Sequence, residues 1–309
     1  MLVTLGLVLG GSLVHAAEVT HIAILVRDSL TSTTRTLQGT RKVIEQEHPE
    51  AVFHTFSVAD ETARRTALVD SVRQINPSLI LTVGTSATQF AKEYFPDKPI
   101  VFSAVAQPVL SGLVTSLQKP ASNVTGASLT IPFEVQFRYF REVLPKVKKI
   151  GVLYTDSTRS LVTQASVIAN EAGLTLVPIR VNDITQLPQA LDSLATVADG
   201  MWSVADPTLF DPRSTKYIIM STIRKGIPLM GFSRHVVESG ALFALDFDYK
   251  AIGLQAGSLA CRILDGERPS DIPVTSADVI WFHYNAKTAE HIHVTIPEEL
   301  VAIAKEVYR

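Results

Sequence analysis

Five consecutive residues, Leu79-Ile80-Leu81-Thr82-Val83, restrict the architecture more than any other stretch of the chain. A nearly all-apolar run this short forms a strand covered on both faces. Gly84-Thr85-Ser86 then turns the chain, Ala87 to Phe95 reads as a helix, and a second apolar run, Ile100-Val101-Phe102, ends in Ser103-Ala104. Ser86 and Gln89 stand in the S/T-x-x-E/Q spacing of a capping box, which predicts that the hydroxyl and the amide satisfy the first N–H groups of that helix. Two hydroxyls, unpaired N–H donors and the positive end of a helix dipole then converge on one spot able to hold a carboxylate or another small anion. In an open parallel sheet that spot lies outside the carboxyl ends of the strands, where ligands sit.

With 309 residues the chain exceeds the size at which one hydrophobic core stops growing, which predicts two lobes. A hydrophobic fraction of 46% with 19% charged residues describes a soluble globular protein without low-complexity segments. A net charge of −2 provides no general electrostatic attraction to nucleic acid or to anionic membranes, and no helix-turn-helix signature precedes the first strand. Met1 to Ala17 carries no acidic or basic residue apart from His15, is dominated by Leu, Val and Gly, and contains the small-x-small pattern Val14-His15-Ala16. Residues 1–17 therefore read as a secretory leader, although the first Lys or Arg is Arg27 and a basic leading region is missing. The other reading of this stretch is a buried first element. Cys261 is the single cysteine, so no internal disulfide forms, and its apolar helical neighbours Ala256, Leu259, Ala260 and Ile263 predict an inert buried thiol.

Strands and helices alternate along the chain. Strands are expected at Val19–Val26, Ala51–Ser57, Leu79–Val83 and Ile100–Phe102, with helices at Thr34–Glu47 and from a cap at Asp60 to about Gln74. Leu113–Leu117 and Val124–Ser128 read as short β-prone pieces, Asn123-Val124-Thr125 being a strand entry. The pattern then restarts: helix Pro132–Leu144, strand Lys149–Tyr154, helix Leu161–Ala172, strand Thr175–Arg180, helix Leu187–Thr196, strand Gly200–Val204, helix Asp211–Arg224, strand Ile227–Met230. Strand Ala241–Phe247, helix Tyr249–Leu264, strand Val279–His283 and short helices at Ala286–Glu290 and Pro297–Val307 finish the chain. Such alternation argues for right-handed βαβ units, hence an α/β protein of two doubly wound parallel-sheet lobes. The single elements at the end suit a chain crossing back and forth through a hinge.

Several motifs together resemble the substrate-binding proteins of ABC transporters with the type 1 periplasmic fold. They are Gly84-Thr85-Ser86-Ala87-Thr88-Gln89, Pro108-Val109, Gly112-Leu113-Val114, Asn123-Val124-Thr125-Gly126, Leu144-Pro145 before Ile150-Gly151-Val152-Leu153-Tyr154, Gly240-Ala241-Leu242, Asp248-Tyr249, and Gly266-Glu267-Arg268-Pro269 with Ile272-Pro273. The resemblance spans nearly the whole chain after the leader, with the motifs in order. It implies two lobes joined by three crossovers, near Leu129–Pro132, Leu245–Asp248 and Pro273–Val279, that close on a small molecule and present it to a membrane permease. One lobe would hold residues 18–130 with 248–276, the other 131–247 with 277–309. Some members are similar to aromatic amino-acid binders, which implies an anionic or zwitterionic, amino-acid-like ligand. The chain departs from the pattern at Gln107, where members often carry an acid before the proline; no anionic partner for a ligand amine stands there.

The candidate ligand-binding residues lie where predicted strands end. Thr85, Ser86 and Ser103 are donors on the first lobe, with Asp28 a weaker candidate. Tyr154, Asp156, Ser157, Asp206, Ser233 and Arg234 come from the second lobe, and Asp248 from a crossover, where it also suits a helix cap. Neutral donors and the helix dipole would offset an anionic group, Asp206 or Asp248 would pair a cationic one, and Phe232, Phe247, Tyr249 or Tyr154 would pack an apolar body. No Ser-His-acid spacing, phosphate loop or H-E-x-x-H is present, and His283, His291 and His293 do not have metal-helix spacing. Recognition rather than catalysis is expected, without cofactor or metal, in a monomeric extracytoplasmic protein partnered by an inner-membrane permease. A ligand sensor docking on a membrane kinase would present the same soluble part, and neighbouring genes would discriminate the two.

Overall fold

A computed structural model describes residues 19–58 and 62–309. The leader and the cap at Asp60 lie outside the described residues. The first sheet is built from β1 (His21–Val26), β2 (Val52–Ser57), β3 (Leu79–Val83), β4 (Ile100–Val105) and β5 (Val124–Ser128), with α1 (Thr31–Glu47), α2 (Thr62–Gln74) and α3 (Thr85–Tyr94) as crossovers. Its order is β2-β1-β3-β4-β5 and every pairing is parallel. All five residues of β3 are buried, as a central strand covered on both faces requires. One face packs Val69, Val72, Phe90 and Phe95, the other Ile44, Ile252, Ala256 and Leu259.

The chain then enters the second sheet through α4 (Phe133–Val143), β6 (Lys149–Tyr154), α5 (Arg159–Glu171), β7 (Thr175–Arg180), α6 (Leu187–Val197), β8 (Gly200–Trp202), α7 (Pro212–Arg224), β9 (Leu229–Gly231), α8 (Arg234–Glu238) and β10 (Phe243–Phe247). It returns as α9 (Tyr249–Leu264), which packs on α1, β4 and β5, and Thr275 bonds along β5 through Ser128 N–H to its carbonyl at 2.8 Å. It crosses a third time into β11 (Ile280–Asn285), α10 (Ala286–His291), α11 (Glu298–Ile303) and β12 (Ala304–Tyr308). The second sheet runs β12-β11-β10-β9-β8-β6-β7, with β10/β11 antiparallel and the other pairs parallel. Two α/β lobes joined by three crossovers result, and the antiparallel pair marks where the chain re-enters after α9.

Three local expectations are corrected. Leu113–Leu117 forms no strand: Gly112 turns at φ 69°, the N–H groups of Leu113 and Val114 both bond to the Pro108 carbonyl, and the two side chains are buried as loop anchors. The final helix stops at Ile303, because Ala304–Tyr308 finds a ladder partner in β11 and becomes an edge strand. Ser86 does not cap α3. The helix begins at Thr85, Gly84 occupies the cap position at φ 83°, no side chain caps the first N–H groups, and Ser86 is exposed. Cys261 is buried in α9, and burial pushes its thiol up to about 11.

Candidate functional site

Parallel strands leave a crevice at their carboxyl ends, because each chain must leave the sheet there for a helix on one face or the other. Both sheets open onto one such crevice. It narrows to a cavity of about 270 Å³ beside the crossovers, with Ala106 and Gln107 after β4 on one side and Leu129, Thr130 and Ile131 as its hinge wall. Opposite stand Phe133 and Gln136 of α4, Leu161 of α5, Trp202 at the end of β8 with Ser203 to Ala205 after it, Met230 to Phe232 at β9, and Leu245 and Phe247 of β10. The lining is mostly apolar, and among the described residues it includes no Asp, Glu, Lys, Arg or His.

The aromatic wall is built by short-range packing. Phe133 meets Trp202 edge-on, with ring centroids 5.7 Å apart at 85°, and Phe137 supports the indole from beneath at 5.4 Å. Gln136 locks the pair: Trp202 Nε1–H donates to its Oε1 at 2.9 Å, and its Nε2–H donates to the Ile131 carbonyl at 2.8 Å. Phe232 packs edge-on against Phe210, and Phe247 against Tyr249. Edge-on pairs use the positive ring edge against the negative face and fix ring planes.

None of the ten expected ligand residues is among those that line this cavity, although Asp206, Ser233 and Asp248 directly follow the lining residues Ala205, Phe232 and Phe247. Thr85 is half-buried and Ser86 exposed at the start of α3, whose first N–H groups carry no side-chain cap. Ser103 is 3% exposed, and its hydroxyl donates to the Thr82 carbonyl at 3.0 Å, tying β4 to β3. Tyr154 packs its ring against the second-lobe core. Asp156 is exposed between Arg159 and Arg180, at 2.5 and 2.6 Å, and hydrogen bonds from both hold its carboxyl below the usual range. Ser157 is exposed beside Thr155.

Asp206 is the most enclosed of the ten, at 1% exposure. Its carboxylate accepts from Thr155 Oγ1 at 2.6 Å, Thr158 Oγ1 at 2.8 Å and Ser157 Oγ at 3.4 Å, and from the N–H groups of Thr208 and Leu209. Burial alone would raise its pKa; the hydrogen bonds outweigh that and hold it below the ordinary value. The carboxylate thus staples the loop after β6 to the loop after β8. Ser233 stands at the start of α8 without a side-chain cap bond, and Arg234 pairs with Glu306 at 3.2 Å. Asp248 caps α9 through Lys250 N–H at 2.8 Å and pairs with Arg35 at 3.1 Å, while Asp28 accepts from Thr33 and the Leu30 N–H.

Phe232 and Phe247, expected as aromatic faces, do line the cavity, whereas Trp202, Phe133, Gln136 and Thr130 were not singled out by the sequence. The available signal was the i, i+3 pair Phe133 and Gln136 on one face of α4. Nothing local pairs that face with Trp202, which is 66 residues from Gln136.

A model of the family described as ABC transporter substrate binding protein matches residues 18–308. The chain is 32% identical over 204 residues to a tyrosine-binding protein of Clostridioides difficile (strain R20291), covering 65% of this chain and 58% of that relative, less than two thirds of its length. A ligand-free, open structure of a substrate-binding protein with adhesive properties from Clostridium difficile aligns at TM-score 0.78 and 23% identity, covering 94% of this chain and 99% of the other. An ABC domain from Streptococcus pneumonia in complex with L-Trp aligns at TM-score 0.66 and 23% identity over 93% and 99%. A periplasmic binding ribose operon repressor from Lactobacillus acidophilus, at TM-score 0.51 and 14% identity, shares the type 1 fold. With two α/β lobes, three crossovers, an interlobe cavity and a family match from residue 18 to 308, this chain belongs to the ABC transporter substrate-binding protein family.

Proposed function

We propose that the protein is an extracytoplasmic solute-binding component of an ABC importer, closing its two lobes on an amino-acid-like solute with an aromatic body and delivering it to a membrane permease. The observation that carries this is the interlobe cavity, walled by Trp202, Phe133, Phe232 and Phe247 and free of ionisable side chains among the described residues. Such a wall suits an apolar ring and leaves the solute's charged end to the rim. On this reading the carboxylate lies over Thr85 and Ser86, where α3 presents uncapped N–H groups. The tyrosine-binding relative supports an aromatic solute. Residues 1–17 would be removed on export, and an intact Met1 in a cytoplasmic fraction on amino-terminal sequencing would refute that part.

Calorimetric titration with L-tyrosine and L-tryptophan tests the reading. Saturable binding should be accompanied by a change in indole emission that disappears in Trp202→Phe. The second tryptophan, Trp281, is not among the lining residues and lies beneath Arg35 and Lys305. No heat and no emission change with either amino acid would reject an aromatic amino-acid solute.

A further inference from the structure

We propose that Gln107 sets which aromatic solute the protein retains, its carboxamide reading an uncharged hydrogen-bonding group on the ring, a phenolic hydroxyl first. This rests on the aromatic amino-acid reading above and adds to it the residue and the group recognised.

Gln107 lines the cavity with its backbone in the left-handed region, at φ 50°, which a non-glycine residue adopts only where its surroundings hold it. It is held on both sides. Its N–H donates to Thr130 Oγ1 at 3.4 Å, and its carbonyl accepts from the Ser111 N–H at 3.0 Å and the Ser111 hydroxyl at 3.1 Å. Thr130 belongs to the hinge wall, so the conformation that aims Gln107 is tied to the crossover itself.

The other polar side chains of the lining are engaged. Gln136 is bonded to Trp202 and Ile131, Ser203 Oγ–H donates to the Met230 carbonyl at 2.8 Å, and Thr130 Oγ1 accepts from Ser128 at 2.8 Å. Among the described residues the Gln107 carboxamide has no partner, leaving two N–H donors and a carbonyl for a solute. Of the acids that adjoin lining residues in the chain, three are engaged: Asp206 by five donors, Asp246 by the N–H groups of Arg234 and Phe247, Asp248 by Lys250 N–H and Arg35. The fourth, Glu134, is exposed and lines a separate pocket with Arg138 and Arg141. A charged group placed in the cavity would lose its hydration without gaining an opposite charge. An uncharged hydroxyl, which both donates and accepts, matches a carboxamide; a bare phenyl ring would leave that carboxamide desolvated and unpaired. A site built to hydrogen-bond a hydroxyl rejects the analogue lacking it far more strongly than an apolar pocket separates two apolar groups.

The experiment is calorimetric titration of the full chain with L-tyrosine and L-phenylalanine, on the unaltered protein, Gln107→Met and Gln107→Asn. Methionine preserves length without the amide; asparagine keeps the amide at shorter reach and tolerates the left-handed backbone, so a folded variant is secured, with melting temperatures as control. Tyrosine should bind about tenfold or more tighter than phenylalanine. Gln107→Met should bring that ratio near one by loss of tyrosine affinity, and Gln107→Asn should fall between. If both amino acids bind and the ratio is near one in the unaltered protein, or persists in Gln107→Met, the role of Gln107 is overturned and the aromatic reading stands. If neither binds to the unaltered protein, the aromatic reading falls and this assignment with it.

Discussion

Ser86 and His283 show how one side chain's surroundings decide what a substitution reports. Because Gly84 rather than Ser86 caps α3 and the Ser86 hydroxyl is exposed without a cap bond, Ser86→Ala should leave the melting temperature of the unliganded protein unchanged. If the hydroxyl donates to a solute carboxylate, the variant should bind L-tyrosine about tenfold more weakly, since a hydrogen bond to a charged group contributes roughly 1.5–3 kcal/mol. Unchanged affinity in titration would move the anion contact elsewhere, with Arg234 the next candidate. His283, on β11, is 1% exposed, and neither ring nitrogen has a hydrogen-bond partner. Burial pushes its pKa down; Asp246 and Glu306 oppose this, and Arg234 and Lys305 add to it. The folded protein therefore keeps the imidazole neutral while the unfolded chain protonates near its ordinary value of about 6.5. Stability from this group is full above that value and is lost as pH falls below it toward the lower folded pKa, by up to about 1.4 kcal/mol per pH unit. Denaturant titrations between pH 8 and 5 should show this slope, and His283→Met should flatten it; equal slopes would exclude His283 as the source.

At the scale of elements, the tightest contact is between α1 and α9. A Cβ on Gly253 would stand 2.0 Å from the Thr36 carbonyl oxygen, and one on Gly39 2.2 Å from that of Lys250, so the helices touch backbone to backbone. Glycine within a helix costs about 0.5–1 kcal/mol relative to alanine, and here it is required by the close approach. Gly253→Ala should force the helices apart and destabilise the protein by roughly 1–3 kcal/mol or more, the usual cost of overpacking, seen as a lower denaturant midpoint. An unshifted midpoint would mean that α9 slides without loss. The last strand illustrates the opposite balance. Leu300, Ile303 and Val307 carry a helical spacing, yet β11 offers an open edge and Ala304–Tyr308 takes its ladder. Tertiary pairing outweighs a weak local preference there.

For the whole molecule, three crossovers connect lobes that each bury their own cores on both faces of a sheet. On the proposed function, lobes so built would rotate as rigid bodies about a hinge when a ligand bridges them. Small-angle scattering should therefore give a smaller radius of gyration with saturating L-tyrosine than without it. An unchanged radius at saturation would argue against a closing clamp. Among the described residues no helix is long and apolar enough to cross a membrane.

Hydrophobic pattern alone determined the α/β class and most element positions. Lys149–Tyr154, Thr175–Arg180 and Tyr249–Leu264 have the bounds their periodicity and stop signals predict, because buried strands and amphipathic helices write their own period into the chain. The order of motifs also determined the family. What the tertiary structure alone decided is the cavity lining. Gln107, Thr130, Gln136 and Trp202 line one cavity because β4 and β8 end, and α4 begins, beside the first crossover, and no local signal encodes contacts between residues so far apart in the chain. Asp206 makes the same point from the other side. Its strand-end position was legible, but five donors converging on one carboxylate depend on how two loops fold over it.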